Sequence, residues 1–146
     1  MPNWAYLVIN FLYHLGLAIW IGGTAVLGAL VAPALFKALP RQDAGNIFGP
    51  TLRRFSRVRV IAVALIVIGA AVKFLVWEQH AASPWIAIRW IGIAFLACEV
   101  FYEIAWLEPA LERSRGDTAV FGRLHKRSEM LMKTALVAAI VALFFS

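Results

Sequence analysis

Apolar residues are gathered in four long stretches of this 146-residue chain, and short polar segments separate them. The stretches cover about residues 4–36, 58–77, 85–107 and 129–145, and the first contains no charged side chain. A helix needs about 20 mostly apolar residues to cross the ~30 Å hydrocarbon core of a bilayer. The pattern therefore predicts an all-α integral membrane protein, a single domain in which four transmembrane helices form a bundle.

Three local signals predict where the helices bend or end. Pro33 removes a backbone donor and crowds the preceding turn, so the first helix is expected to bend or end there. Between helices 1 and 2, residues 39–56 place apolar and polar side chains at helical spacing, which predicts an amphipathic interfacial segment, broken at Gly49-Pro50. Asp117 has the side chain of an N-cap, so the last helix is expected to begin next to it.

Composition excludes several classes of protein. Hydrophobic residues make up 62% of the chain and charged residues 15%, with a mean hydropathy of +0.79. A soluble domain has about 25% charged residues, so a soluble enzyme and a disordered tail are excluded. Cys98 is the single cysteine, which excludes an intramolecular disulfide. The sequence contains no phosphate-binding glycine loop, catalytic Ser-His-Asp set or HExxH motif, so it favours a protein without catalytic activity.

Basic residues are concentrated in two of the three connections. Cytoplasmic loops of membrane proteins carry an excess of Lys and Arg. We therefore expect both basic connections in the cytoplasm and both termini outside, in a bacterial inner membrane. The net charge of +6 then indicates contact with lipid head groups rather than with nucleic acid. The residues concerned are Lys37, Arg41, Arg53, Arg54, Arg57 and Arg59 in or beside the first connection, and Arg113, Arg115, Arg123, Lys126, Arg127 and Lys133 in or beside the third.

Small residues are frequent in the first stretch, where they allow helix backbones to approach closely. Several lie four residues apart, and further glycines occur in the second and third stretches. The pattern predicts tight packing around the first helix, while a homo-oligomer or a larger membrane complex remains an alternative use of the same face. The pairs are Ala18/Gly22, Ala25/Ala29 and Gly28/Ala32.

Few ionisable side chains lie within the apolar stretches, where each costs at least about 2.5–3.5 kcal/mol and usually faces the bundle interior. His14 is expected near mid-membrane, with Asn10 one turn before it on the same face. Glu99 and Glu103 share one face of the third helix. We predict that these four residues line an intramembrane polar site for a cation, a proton or a small amphiphile; a metal ligand role also remains open.

Three basic residues lie close enough to this predicted site to affect it. Lys133 reaches a depth similar to that of Glu103, and we expect the two to pair. Lys73 and Arg89 each lie about one turn from the outer surface, where long side chains extend to water, and we expect them to snorkel. Turned inward beside the first-helix pair instead, they would form an anion-attracting pocket that opens to the outside.

Four motifs resemble those of the transmembrane-protein-205-like family. They are HLGLAIWIGG at 14–23, APALF at 32–36, AGNIFG at 44–49 and FGRLHKRS at 121–128. The resemblance covers essentially the whole chain and implies a four-helix membrane protein without a settled biochemical activity. Glu99 and Glu103 are not part of the family pattern.

A more distant likeness concerns His14 with Trp20, and WIAIR at 85–89. These residues are similar to the haem-containing membrane protoporphyrinogen oxidases and to the copper-resistance D proteins. The likeness implies His14 as a ligand of haem b. Arg89 stands where the oxidases have a lysine, and a guanidinium would pair with a haem propionate rather than bind iron.

Three functions therefore stay open at this point. The first is a binding or transport-associated membrane protein with a polar site inside the bilayer. The second is a membrane redox protein that binds haem b through His14. The third is a non-catalytic accessory or scaffold subunit, for which the small-residue face would provide the contact surface.

Overall fold

The computed structural model describes residues 3–79, 83–114 and 117–146. In these ranges the regular structure is helical throughout, and short segments connect four long helices. They are α1 (Asn3–Ala38), α2 (Arg41–Lys73, continued by Phe74–Glu78), α3 (Pro84–Arg113) and α4 (Thr118–Phe144). The prediction of an all-α chain with four helices is confirmed.

Length and composition make α1, α2 and α3 fit to cross a membrane. Among the described helices α4 is not in this group. The reason is that charged side chains continue past the middle of α4. Its last two thirds, which would be long enough to span a membrane, still contain Arg127, Glu129 and Lys133. Insertion of all four helices, and the outward orientation of both termini, stay predictions.

The connection between α1 and α2 is much shorter than the sequence pattern predicts. Only residues 39–40 separate the two helices, and α2 runs without a break through Pro50. The predicted break at Gly49-Pro50 is therefore wrong. A proline inside a helix removes one backbone hydrogen bond and crowds the turn before it. Packing of this part of α2 on α1 offsets that cost, since the ring of Phe48 lies edge-on to Phe36 with centroids 6.2 Å apart.

Prolines in α1 and α3 each follow a widened turn. Residues Val26–Val31 form a π-helical stretch in which the N–H of Ala32 donates to the carbonyl five residues earlier, and Pro33 comes next. Glu103–Leu107 forms a second such stretch immediately before Glu108 and Pro109. A wider turn relieves the crowding between a proline ring and the preceding carbonyls. Helix α1 therefore widens before Pro33 and continues to Ala38 instead of ending, and the bend expected at Pro33 stays a prediction.

The chain divides into two compact units, residues 1–82 and 83–146, and the first is the antiparallel hairpin of α1 and α2. At its open end the ring of Tyr6 lies edge-on to Trp77, with centroids 5.2 Å apart. The buried side chains between the two ends form one core. They include Tyr13, Leu17, Trp20, Ala62, Ile66 and Ala70.

Two glycines set how closely α1 and α2 approach. A Cβ at Gly16 would lie 2.6 Å from the carbonyl oxygen of Ala62. A Cβ at Gly69 would lie 2.9 Å from the Cβ of Tyr13. Both distances are too short for a real side chain, so the helices touch at these positions as tight packing requires.

The pairs predicted from four-residue spacing do not make this contact. No atom lies within 4 Å of the Cβ position of Gly22 or of Gly28. Gly22 and Gly28 belong to the predicted pairs with Ala18 and Ala32, so these pairs do not mediate the α1/α2 contact. The spacing rule identified the right residue type, but α1 and α2 meet on another face of the helix; use of the predicted pairs in a homo-oligomer or larger complex stays a prediction.

The second unit is the hairpin of α3 and α4. At one end the ring of Trp85 stacks on Phe145 with centroids 5.1 Å apart and an interplanar angle of 4°. Further along, a Cβ at Gly92 would lie 3.1 Å from the carbonyl oxygen of Ala138, so these helices are also in close contact. The single four-helix domain predicted from the sequence stays a prediction.

Helix α4 begins where the sequence predicts. The Oδ1 atom of Asp117 accepts hydrogen bonds from the backbone N–H groups of Ala119 and Val120, each at 3.0 Å. These are donors that the first turn of a helix leaves without a partner in the helix itself. Asp117 is therefore confirmed as the N-cap of α4.

Candidate functional site

A polar cluster lies inside the α1/α2 hairpin, toward its open end. Lys73 is 3% exposed, and its Nζ donates a hydrogen bond to Oδ1 of Asn10 at 3.1 Å. The ammonium also lies 5.4 Å from the ring centroid of Tyr13 and 5.9 Å from that of Tyr6. Aromatic faces stabilise a nearby cation by about 0.5–2 kcal/mol. We name Tyr6, Asn10, Tyr13, His14 and Lys73 the Lys73 cluster.

His14 contacts the same asparagine through the backbone. Its Nδ1 lies 2.7 Å from the carbonyl oxygen of Asn10. A carbonyl oxygen only accepts, so Nδ1 carries a proton and donates it. The imidazole is also edge-on to the ring of Tyr13, with centroids 5.4 Å apart. Asn10 therefore fixes both His14 and Lys73, one through its main chain and the other through its side chain.

The predicted snorkelling of Lys73 and Arg89 is wrong. Arg89 is 2% exposed and Lys73 is similarly buried. Lys73 turns inward because its place on α2 faces α1, one turn beyond the close contact at Gly69. The sequence did contain this signal, since Lys73 continues the buried stripe of α2 at helical spacing. The other members of that stripe are Arg59, Ala62, Ile66 and Ala70.

Arg59 forms a second buried cationic position in the same hairpin, and the sequence reasoning missed it. Its guanidinium carbon lies 5.2 Å from the ring centroid of Trp20 and 5.8 Å from that of Phe55. Its Nη2 donates to Oγ of Ser56 at 3.2 Å. The sequence assigned Arg59 to the basic cytoplasmic connection. Its position three residues before Ala62 on the buried stripe shows instead that it faces α1.

Two further polar atoms are buried in α1. Nε1 of Trp20 and Oγ1 of Thr24 have no hydrogen-bond partner among the described residues. An indole nitrogen can only donate, whereas a hydroxyl can donate or accept. A buried donor without an acceptor costs about 1–3 kcal/mol. Nε1 of Trp20 is therefore a buried donor that the described part of the chain leaves unsatisfied.

Helix α3 buries both carboxylates that the sequence singled out. Glu99 is 5% exposed and Glu103 is 7% exposed. Glu103 also begins the π-helical stretch of α3. The two lie one turn apart in the second unit, with Arg89 on the same helix, whereas Asn10, His14 and Lys73 meet in the first. One shared site for His14 and Glu99 stays a prediction.

Lys133 does not form the predicted pair with Glu103. Its Nζ instead donates to the carboxylate of Glu129, one turn earlier on α4, at 2.6 Å. Lys133 is 73% exposed, so it lies on the surface while Glu103 is buried. A glutamate four residues before a lysine lies beside it on the same helix face, and such a pair stabilises a helix by about 0.2–0.5 kcal/mol.

No group of three or more His, Cys, Asp or Glu side chains in the described part of the chain is arranged to hold a metal ion. The ligation of a metal or of haem b by His14 stays a prediction.

The chain is thus a small helical protein with three helices of membrane-spanning length and with buried cationic side chains. Residues 15–119 match a family described as a domain of unknown function, DUF4149, and the chain belongs to that family. No curated protein and no solved structure matches the chain. The matched region contains Arg59, Lys73 and Arg89, and it begins one residue after His14. The likeness to the transmembrane-protein-205-like and haem-containing families stays a prediction.

Proposed function

We propose that this protein is a polytopic membrane protein that binds, or helps to transport, a small amphiphile with an acidic head group at the Lys73 cluster. We place it in a bacterial inner membrane with both termini outside, so that the cluster lies in the outer half of the bilayer. The observation that carries the proposal is the buried ammonium of Lys73, inside a helix fit to cross a membrane. Ionisable side chains at such a depth mark binding sites and transport pathways.

The charges of the hairpin favour a head group that accepts hydrogen bonds. Residues 4–36 and 58–77 contain Arg59 and Lys73 but no Asp or Glu, and Glu78 follows at the end of α2. Arg59 lies about 20 Å from Lys73 along α2, so a ligand at the Lys73 cluster meets the ammonium of Lys73 alone. A carboxylate or phosphate complements this ammonium, whereas a metal ion or an organic cation would meet a positive charge there. An acidic head group therefore fits better than the cation considered from the sequence.

The outer faces of the helices favour a ligand with an apolar tail. Beside the cluster in sequence, α1 and α2 expose large apolar side chains, which are Leu7, Phe11, Ile68 and Leu75. In a bilayer a tail lying along these faces would replace other acyl chains, so it would hold the ligand at the depth of the cluster without gaining hydrophobic transfer energy. The contact of the head group with Lys73 and Asn10 would then supply the selectivity for charge.

Photolabelling with a diazirine-bearing oleic acid tests the proposal on the purified protein in phosphatidylcholine nanodiscs. We expect saturable labelling that unlabelled oleate competes away, while oleylamine, which has the same chain and a cationic head, does not compete. Substitution of Lys73→Met is expected to weaken oleate competition about tenfold, or about 1.4 kcal/mol, because the charged donor is lost.

Lys133→Met provides the matched control, because Lys133 is exposed and pairs with Glu129 on the surface of α4. We expect this variant to bind oleate as the wild type does. Unchanged oleate competition in Lys73→Met, or competition by oleylamine as strong as by oleate, contradicts the proposal.

A further inference from the structure

The guanidinium of Arg127 is held on an aromatic surface in the α3/α4 hairpin. Its central carbon lies 5.4 Å from the ring centroid of Tyr102 and 5.5 Å from that of Trp106. These two rings stack on each other, with centroids 5.2 Å apart and an interplanar angle of 25°. Two rings therefore fix the position of an arginine that is itself exposed.

Arg127 is exposed, so the N–H groups of its guanidinium can reach a ligand at the surface. Among the described residues no carboxylate or carbonyl accepts a hydrogen bond from Arg127, and the nearby Glu129 is paired with Lys133. Stacking on rings occupies the faces of a guanidinium and leaves the N–H groups at its edge available. Arg127 is thus positioned to donate several hydrogen bonds to one acceptor group.

Trp106 also lines a cleft of about 490 Å³ between the end of α3 and the start of α4. One wall of the cleft is apolar and contains Ala110, Val120 and Leu124. Arg113 lies on the polar side, and its Nε donates to the carbonyl oxygen of Pro109 at 3.1 Å, which leaves the two terminal nitrogens of the guanidinium for another acceptor.

Asp117 is the acidic residue of this cleft. Its carboxylate caps α4 through the N–H groups of Ala119 and Val120. These hydrogen bonds offset part of the negative charge of the carboxylate. Arg113 lines the cleft and Arg127 lies against its Trp106 wall, so two guanidinium groups meet the one carboxylate described there.

We propose that this surface binds the phosphate of an anionic glycerophospholipid. Arg127 and Arg113 would donate to the phosphate oxygens, since a planar guanidinium binds phosphate through two parallel hydrogen bonds. In the proposed orientation Trp106 and Tyr102 would lie toward the cytoplasmic interface, where aromatic side chains are enriched. The apolar wall receives the first carbons of an acyl chain.

The position of the site at the end of α3 favours a lipid over free phosphate as the ligand. Helix α3 is long and apolar enough to cross a membrane, and it ends at Arg113. The following half of α4 adds Arg123 and Lys126, both exposed. Basic pockets between helices on the cytoplasmic side of a membrane are typical sites for anionic head groups. The site lies in the other hairpin from the Lys73 cluster, so different residues carry the two proposals, although both rest on the membrane orientation given under the proposed function.

Native mass spectrometry of the purified full-length protein tests this site. The protein is incubated with equal amounts of phosphatidylglycerol and phosphatidylcholine that have the same acyl chains. We expect the wild type to retain phosphatidylglycerol with a preference of about fivefold, and Arg127→Gln to reduce this preference to near one. Arg127→Lys, which keeps the charge but loses the planar fork, is expected to lie between them.

Lys133→Gln is the matched control, because it removes a positive charge from the exposed surface of the same helix. We expect it to keep the preference of the wild type, and circular dichroism verifies that each variant is folded. Millimolar inorganic phosphate is expected to leave the bound lipid in place; displacement by phosphate would identify a free-anion site and overturn the proposal. Equal retention of the two lipids by the wild type, or an unchanged preference in Arg127→Gln, would overturn it as well.

Discussion

Replacing Gly16 by leucine is expected to prevent the α1/α2 hairpin from closing. A Cβ at this position would lie 2.6 Å from the backbone oxygen of Ala62 and 2.8 Å from Cγ1 of Ile66. The first of these atoms belongs to the main chain, so the helices would have to move apart. Overpacking of this kind costs about 3 kcal/mol or more, so we expect a much lower melting temperature in detergent. Size-exclusion chromatography after heating measures the fraction of protein that stays folded at each temperature.

The control for this experiment is Gly22→Leu. Gly22 lies on the same helix, and no atom approaches its Cβ position within 4 Å. Leucine is also a better helix former than glycine, by up to about 1 kcal/mol in soluble helices. We expect Gly22→Leu to melt at or above the temperature of the wild type. Equal losses in the two variants would mean that Gly16 does not lie at the helix contact.

Arg59→Ala is expected to give the second large loss of stability. Arg59 is 1% exposed, and its side chain fills the space between Trp20 and Phe55 while Nη2 bonds Ser56. Truncation would leave a cavity and remove the cation–π contacts, at a cost of about 2–4 kcal/mol. Thermal unfolding in detergent, monitored by tryptophan fluorescence, measures this loss.

Arg59→Met separates the packing of this side chain from its charge. Methionine fills much of the same space, and a buried cation is costly to desolvate, so we expect Arg59→Met to recover more than half of the loss. Arg57→Ala, two residues earlier and exposed, is expected to change stability by less than about 0.5 kcal/mol. A loss in Arg57→Ala as large as in Arg59→Ala would contradict the burial of Arg59 against α1.

The number of helices could be predicted from the sequence, because long apolar stretches have few other solutions, but α2 begins at Arg41, well before its predicted apolar stretch. The N-cap at Asp117 could also be predicted, because its side chain bonds backbone N–H groups only two and three residues later in the chain. Pro50 was misjudged because its effect depends on tertiary contacts. A proline costs several kcal/mol in an isolated helix, but the packing of Phe48 on Phe36 lies outside any local pattern.

The direction of the charged side chains was harder to predict. Depth along the membrane normal favoured snorkelling for Lys73, because a long side chain near the interface can reach water. The face of the helix decides the outcome instead, and Lys73 continues the stripe that also contains Ala70 and Ile66. The same stripe passes through Arg59. Arg59 and Lys73 each lie three residues from a small residue of this stripe, Ala62 and Ala70 respectively. A search for cations at that spacing would have identified both as buried.

The small residues of α1 show that composition predicts close packing but not which residues make the contact. The first stretch contains many glycines and alanines, and their number correctly predicts a closely packed helix. Gly16 makes the contact, whereas Gly22 and Gly28 face open space. Which glycine is used depends on the partner helix, and the sequence of α1 alone does not contain that information.

Labelling of single cysteines tests the central claim most directly, because both proposed sites depend on how the chain lies in the membrane. Cys98 is replaced by alanine, and one cysteine is introduced at Asn3, Asp43, Arg123 or Ser146. A membrane-impermeant maleimide is then added to intact or permeabilised spheroplasts. Since basic connections face the cytoplasm, we expect Asn3→Cys and Ser146→Cys to react in intact spheroplasts, and Asp43→Cys and Arg123→Cys to react only after permeabilisation. Protection of either terminus in intact spheroplasts, or reaction of either connection there, would contradict the account.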